Sequence, residues 1–169
     1  YTAEPCPLPA LEMLIAEMLA LHYCSDSHEC PLVLLDLLEE TRRRVDAGEG
    51  VLPGGEIRVF WVNPVADIKV MNLLEAAGAR ICGTDYLFTH TLDAVPENID
   101  PLEALARSAL ADPMTGPAQD RASRIIQDMR RFGSEALIIS RIPGASHCAT
   151  EGQVIKYAVC EFLGLPVLE

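Results

Sequence analysis

The chain changes its hydrophobic period part-way along. Between positions 9 and 23 the apolar residues Leu11, Leu14, Ile15, Met18 and Leu19 recur at three- and four-residue steps, with Glu12 and Glu17 off the stripe. That pattern predicts a helix with one buried face. After a polar stretch from Cys24 to Cys30, Pro31 suits the first turn of a second helix that runs to about Ala47. Leu32, Leu35, Leu38 and Val45 form its apolar side, while Arg42, Arg43 and Arg44 follow Glu39 and Glu40 as a solvated, partly paired face. Gly48, Gly50, Pro53, Gly54 and Gly55 then break the pattern. The boundary falls there, dividing a helical segment, 1–52, from the remainder, 53–169.

Beyond the boundary short β-rich runs alternate with helical stretches. Ile57 to Val62 reads as a strand closed by Asn63-Pro64, and the helix after it, carrying Ile68, Met71, Leu73 and Leu74, stops at Gly78. A second strand spans Ala79 to Cys82, completing a βαβ unit. A long connection with Asp93, Pro96 and Asn98 leads to helices Pro101 to Ala111 and Pro117 to Phe132, the latter ending at Gly133. The third strand is Ala136 to Ile139, its helix covers Ser146 to Leu163, and Leu165 to Leu168 is the fourth strand. Alternation of this kind predicts an α/β fold: an open four-stranded parallel sheet with helices on both faces, preceded by a two-helix N-terminal segment.

In an open parallel sheet ligands bind beyond the carboxyl ends of the strands. The residues just past the first three strands include Asn63 and Asp67, then Asp85 and His90, then Arg141, Ser146, His147 and Cys148. Residues scattered in sequence are thereby expected along one edge. Cys148 stands where a strand, a loop with Pro143 and Gly144, and a helix start follow one another. A thiol near the positive end of a helix is favoured as thiolate, the form that binds metals and attacks electrophiles.

Composition narrows the classes. The 169 residues are 50% hydrophobic, enough for a substantial core, and carry a net charge of -12, which argues against nucleic acid or an anionic membrane as partner. No apolar run reaches the roughly 18 residues of a membrane helix. The six cysteines, at 6, 24, 30, 82, 148 and 160, form no CxxC pair or dense framework, so a reducing, cytoplasmic setting is expected. Neither a GxGxxG nor a P-loop is present, which places nucleotide enzymes lower.

Three stretches together carry a family resemblance: Trp61 to Asp67, Gly83 to His90, and Ser140 to Cys148. They resemble a subunit of the 2-hydroxyacyl-CoA dehydratase family, which also includes benzoyl-CoA reductase subunits. The resemblance implies radical dehydration of a 2-hydroxyacyl-CoA thioester to an enoyl-CoA, or a related ring reduction. It also implies a [4Fe-4S] cluster held by cysteines, a homologous partner subunit, and an ATP-dependent iron-sulfur activator that delivers an electron. Cys148, followed by Glu151 and Gly152, matches the family's cysteine after this strand and is the expected cluster ligand. Asp85 matches an acidic position that the family follows with another cysteine. Tyr86 to His90 contain none, and Cys82 is the nearest thiol. On physical grounds Ser146 and His147, at a helix start, are catalytic candidates, able to donate hydrogen bonds to a cluster or a thioester oxygen, and Asn63, Asp85 and Arg141, just past the strands, are substrate-binding candidates. Tyr1 in place of an initiating methionine makes the chain read as a piece of a longer polypeptide.

Other readings stay open at this level. Cys82, His90, His147 and Cys148 are acceptable zinc ligands at unorthodox spacing. The chain also suits a non-catalytic subunit that shapes an acyl-CoA site. Cys82 ends an apolar run and reads as a core residue ahead of a ligand, and Arg141 is as readily a surface ion pair as a phosphate contact or a partner of Asp85.

Overall fold

A computed structural model describes residues 1–23, 25–64, 67–86, 92–141 and 146–169, without the side chains of 22, 23 and 146–149. Helix α1, Ala10–Met18, continues into a π-helical turn at Leu19–Tyr23, so the expected single helix changes its winding in its last turn. Helix α2 spans Glu29–Ala47, starting two residues ahead of Pro31 because the Asp26 carboxylate accepts the amides of His28 and Glu29 at 2.8 and 3.0 Å. Gly48, in the left-handed region, closes it.

Four strands follow: β1 Ile57–Val62, β2 Ala79–Asp85, β3 Ala136–Ile139 and β4 Val167–Leu168. They pair in parallel in the order β2-β1-β3-β4. Helix α3, Lys69–Ala76, links the first pair; α4, Pro101–Ala111, and α5, Ala118–Phe132, lead to β3; α6, Ser146–Leu163, leads to β4. Asp100 caps α4 by accepting the amides of Leu102 and Glu103, with Pro101 in the first turn.

Both faces of the sheet are covered. On one, Phe60, Val62, Leu137 and Ile139 pack against Ala122, Ile125, Ile126 and Met129 of α5 and Ile155 and Val159 of α6. On the other, Trp61, Ile81 and Tyr86 meet Ala10 and Leu14 of α1 and Met71 of α3. The N-terminal helix is therefore a layer of the α/β core, docked through Leu14 and through Glu75, which accepts the Ala10 amide at 3.0 Å.

Strand β2 runs three residues past the predicted end at Cys82. Thr84 and Asp85 pair with Trp61 and Val62, after a register shift in which Cys82 is the extra residue. Gly83 makes the bulge possible: a Cβ there would lie 2.7 Å from ring carbons of both Phe60 and Phe132.

Candidate functional site

The strand order fixes where a site can form. The chain steps from β1 to β2 on one side and returns to place β3 on the other side of β1. The carboxyl ends of β1 and β3 thus flank the switch point, the place where such sheets open a crevice.

Asn63, immediately after β1, occupies that point. It is buried, adopts a positive φ of 68°, and donates from Nδ2 to the Ser140 carbonyl beyond β3 at 3.0 Å. Its own amide donates to the Asp85 carbonyl at the end of β2, also at 3.0 Å. Asparagine tolerates the left-handed region better than most residues, and here one residue ties three strand ends.

Arg121 organises the rest. Its side chain is completely buried, yet three acceptors surround it. Nε and Nη2 donate to Asp85 Oδ2 at 2.9 and 2.7 Å, Nη2 also to Asn63 Oδ1 at 2.7 Å, and Nη1 to Glu151 Oε2 at 2.8 Å. Burial by itself pulls the Arg121 pKa down, but the Asp85 charge, then the hydrogen bonds to Glu151 and Asp85, outweigh it and leave the pKa above the ordinary arginine value. The guanidinium is a fixed cation joining α5 to the ends of β1 and β2 and to the start of α6.

The structure therefore brings Asn63 and Asp85 together, as their places after adjacent strands require. It moves Arg141 elsewhere: its exposed guanidinium pairs with Glu169 at 3.1 Å, beside Lys156, and Asp85 takes Arg121 as its buried cation instead. Cys82 lies inside β2 and not at its end, fully buried, with its Sγ 3.2 Å from Ser134 Oγ. Ser134 precedes β3, so Cys82 leans towards the amino side of the sheet. Asp67 accepts the Lys69 amide at 2.9 Å and so serves the start of α3. The side chains of Ser146, His147 and Cys148, and all of His90, lie outside the described residues; the backbone of 146–149 forms the first turn of α6.

Arg121 is absent from the candidates drawn from sequence, although a signal was present. Ala122, Ile125, Ile126 and Met129 make the buried stripe of α5, and Arg121, four residues before Ile125, is a charge on the edge of that stripe. A charged residue on a buried stripe requires partners, and Asp85 and Glu151 are those partners. The opposite edge of the sheet has its own ion cluster: buried Arg80 pairs with Glu4 at 2.6 Å, and Glu4 also pairs with Arg58. A cavity of about 380 Å³ beside α4, lined by Asp93, Val95, Pro96, Arg107 and Asp112, includes none of the network residues.

Compared with known families, residues 1–169 match 2-hydroxyglutaryl-CoA dehydratase, D-component. The chain belongs to this family. A comparison with curated proteins returned no match. The D-component match covers every element described above, the N-terminal helical segment included. It makes this a dehydratase-type chain whose sheet edge carries an Asp-Arg-Glu-Asn network. Among the described residues no three His, Cys, Asp or Glu side chains are grouped as a metal ion requires. Described thiols are dispersed: Cys6 and Cys30 in the N-terminal segment, Cys82 in the core, Cys160 exposed near the end of α6. These residues do not by themselves form a four-thiolate cluster site. No described helix is long and apolar enough to cross a membrane.

Proposed function

We propose that the protein is a subunit of an enzyme that removes water from a 2-hydroxyacyl-CoA thioester. The hydroxyl and one proton leave together as water, and an enoyl-CoA remains. The observation that carries this reading is the family match across all 169 residues. The geometry supports it in placing a largely buried network of one guanidinium and two carboxylates at the switch point, where α/β sheets hold ligands.

In this reading Cys148 supplies one thiolate to a [4Fe-4S] cluster, and the other ligands come from outside the described residues. A homologous partner subunit and an ATP-dependent activator complete the enzyme. Ser146 and His147, in the same helical turn, donate hydrogen bonds near the reacting thioester. The described residues act as the frame: Asn63 and Asp85 hold the strand ends, and Arg121 holds both to α6.

The test is iron and acid-labile sulfide analysis, with an EPR spectrum, of protein purified without oxygen together with its partner component. Comparable amounts of iron and sulfide, with a cluster signal lost in Cys148→Ala, are expected. Zinc without sulfide would instead support a site drawn from His90, His147 and Cys148, since Cys82 lies buried on the amino side of the sheet. A metal-free, colourless protein that still binds an acyl-CoA would reduce the chain to a shaping subunit. An unchanged cluster signal in Cys148→Ala would remove that residue from the ligand set.

A further inference from the structure

We propose that Arg121 is the positioning residue for the first turn of α6, the turn that carries Cys148. The inference rests on the chemical role given to Cys148 above, but its test does not need a cluster. Three observations lead to it.

The first is connectivity. Glu151 stands three residues after Cys148 in α6, and its carboxylate accepts from Arg121 Nη1 at 2.8 Å. The same guanidinium holds Asp85 at the end of β2 and Asn63 at the end of β1. The helical turn is thereby referenced to two strand ends through one rigid planar group. A lysine could not do this, because its single ammonium lacks the fixed fork of donors.

The second is energetic. An arginine with no exposed surface, facing two carboxylates, is a poor source of net stability, since the cost of removing charges from water consumes most of their attraction. What such a group does well is fix geometry, because every misplacement strands a buried charge.

The third is packing. Gly152 lies against β3: a Cβ there would be in ordinary van der Waals contact with Ile139, at 3.4 Å. Contact of this kind sets the distance between helix and sheet but leaves the helix able to rotate or fray at its beginning. The Arg121 to Glu151 bond is a directional contact that opposes this.

Amide hydrogen exchange on metal-free protein tests the proposal, using Glu151→Gln, Arg121→Met and the double variant. The amides of 150–152 are read because they are the first in α6 able to bond within the helix. In Glu151→Gln they should exchange about fivefold faster or more, with β1 and β3 unchanged, and the double variant should be no faster than the faster single variant. The rate of alkylation of Cys148 relative to exposed Cys160 should change in parallel. Unchanged exchange at 150–152, an equal rise in every strand, or an unmoved alkylation ratio would each overturn the proposal. Since Glu151 is partly exposed, its variant remains folded enough to decide the matter even if Arg121→Met does not. Absence of iron and sulfide would sink the cluster reading and leave this result standing.

Discussion

Single residues in this protein take charges into places where water does not follow. Arg121 resolves that cost by meeting Asp85, Glu151 and Asn63 at hydrogen-bond distance. Glu17 resolves it differently. It lies buried on α1; its Oε1 accepts from the Tyr1 hydroxyl at 2.9 Å, and its Oε2 has no hydrogen-bond partner among the described residues. Burial pushes the Glu17 pKa up from 4.5, against the downward pull of the Tyr1 hydrogen bond. The folded state thus holds the proton more tightly than the unfolded one. Stability from this group is full below the unfolded value and falls as pH rises through the raised folded value. In Glu17→Gln the neutral amide keeps an acceptor for Tyr1 and removes the titration. We expect urea unfolding from pH 4 to pH 8 to show a shallower loss of stability in the variant, which should be the more stable of the two at neutral pH. Parallel curves for the two proteins would show that Glu17 titrates as it does in the unfolded chain.

At the scale of elements, the order of strands and helices was legible because it depends on period and punctuation. Ile57 to Val62 and Ala136 to Ile139 appear as read, as do the bounds of α4. Misjudged ends have a common cause, which is that pairing partners decide them. Gly83-Thr84-Asp85 looks like a turn in isolation and becomes strand because β1 offers it a parallel partner. Val167–Leu168 is a shorter strand than the apolar run suggests, since β3 offers partners only at Leu137 and Ile138. The site divides along the same line. Position after a strand was enough to find Asn63 and Asp85, whereas Arg121 lies in the first turn of α5 and enters only through the packing of that helix on the sheet. The bulge at Cys82 supplies a direct test of how tightly these elements fit. In Gly83→Ala the new methyl would meet Phe60, in the core, and Phe132, packed against it. The expected loss is about 1–3 kcal/mol, the usual cost of overpacking. Combining it with Phe132→Leu should give less than the sum of the two losses, as coupled neighbours do. Thermal unfolding of the four proteins decides it, and simple additivity would mean that the rings move aside freely.

For the molecule as a whole, the strongest influence that no single contact reveals is the net charge of -12. Self-repulsion of that size weakens the compact state, because folding brings the carboxylates closer together. Against it stand exposed local pairs such as Arg43 with Glu40 and Glu49, each worth little and each weakened by salt. Salt therefore acts in both directions. It screens a surplus of repulsion acting over many ångströms and also a smaller number of short attractions. At about 0.15 M the screening length is roughly 8 Å, shorter than most distances between surface carboxylates and longer than the pairs themselves. The repulsive part should be lost first. We expect Tm to rise as sodium chloride is added from low ionic strength to a few tenths molar. The buried pair of Arg121 with Asp85, hidden from the ions, should contribute nothing to that rise, and the partly exposed Glu151 little. The measurement is a series of melting curves for the unaltered protein and for Glu151→Gln. Both should rise with the same slope, the variant offset by a constant amount. A falling Tm would assign the surface pairs a larger share of stability than the net charge, and a diverging slope would mean that salt reaches the network at the sheet edge.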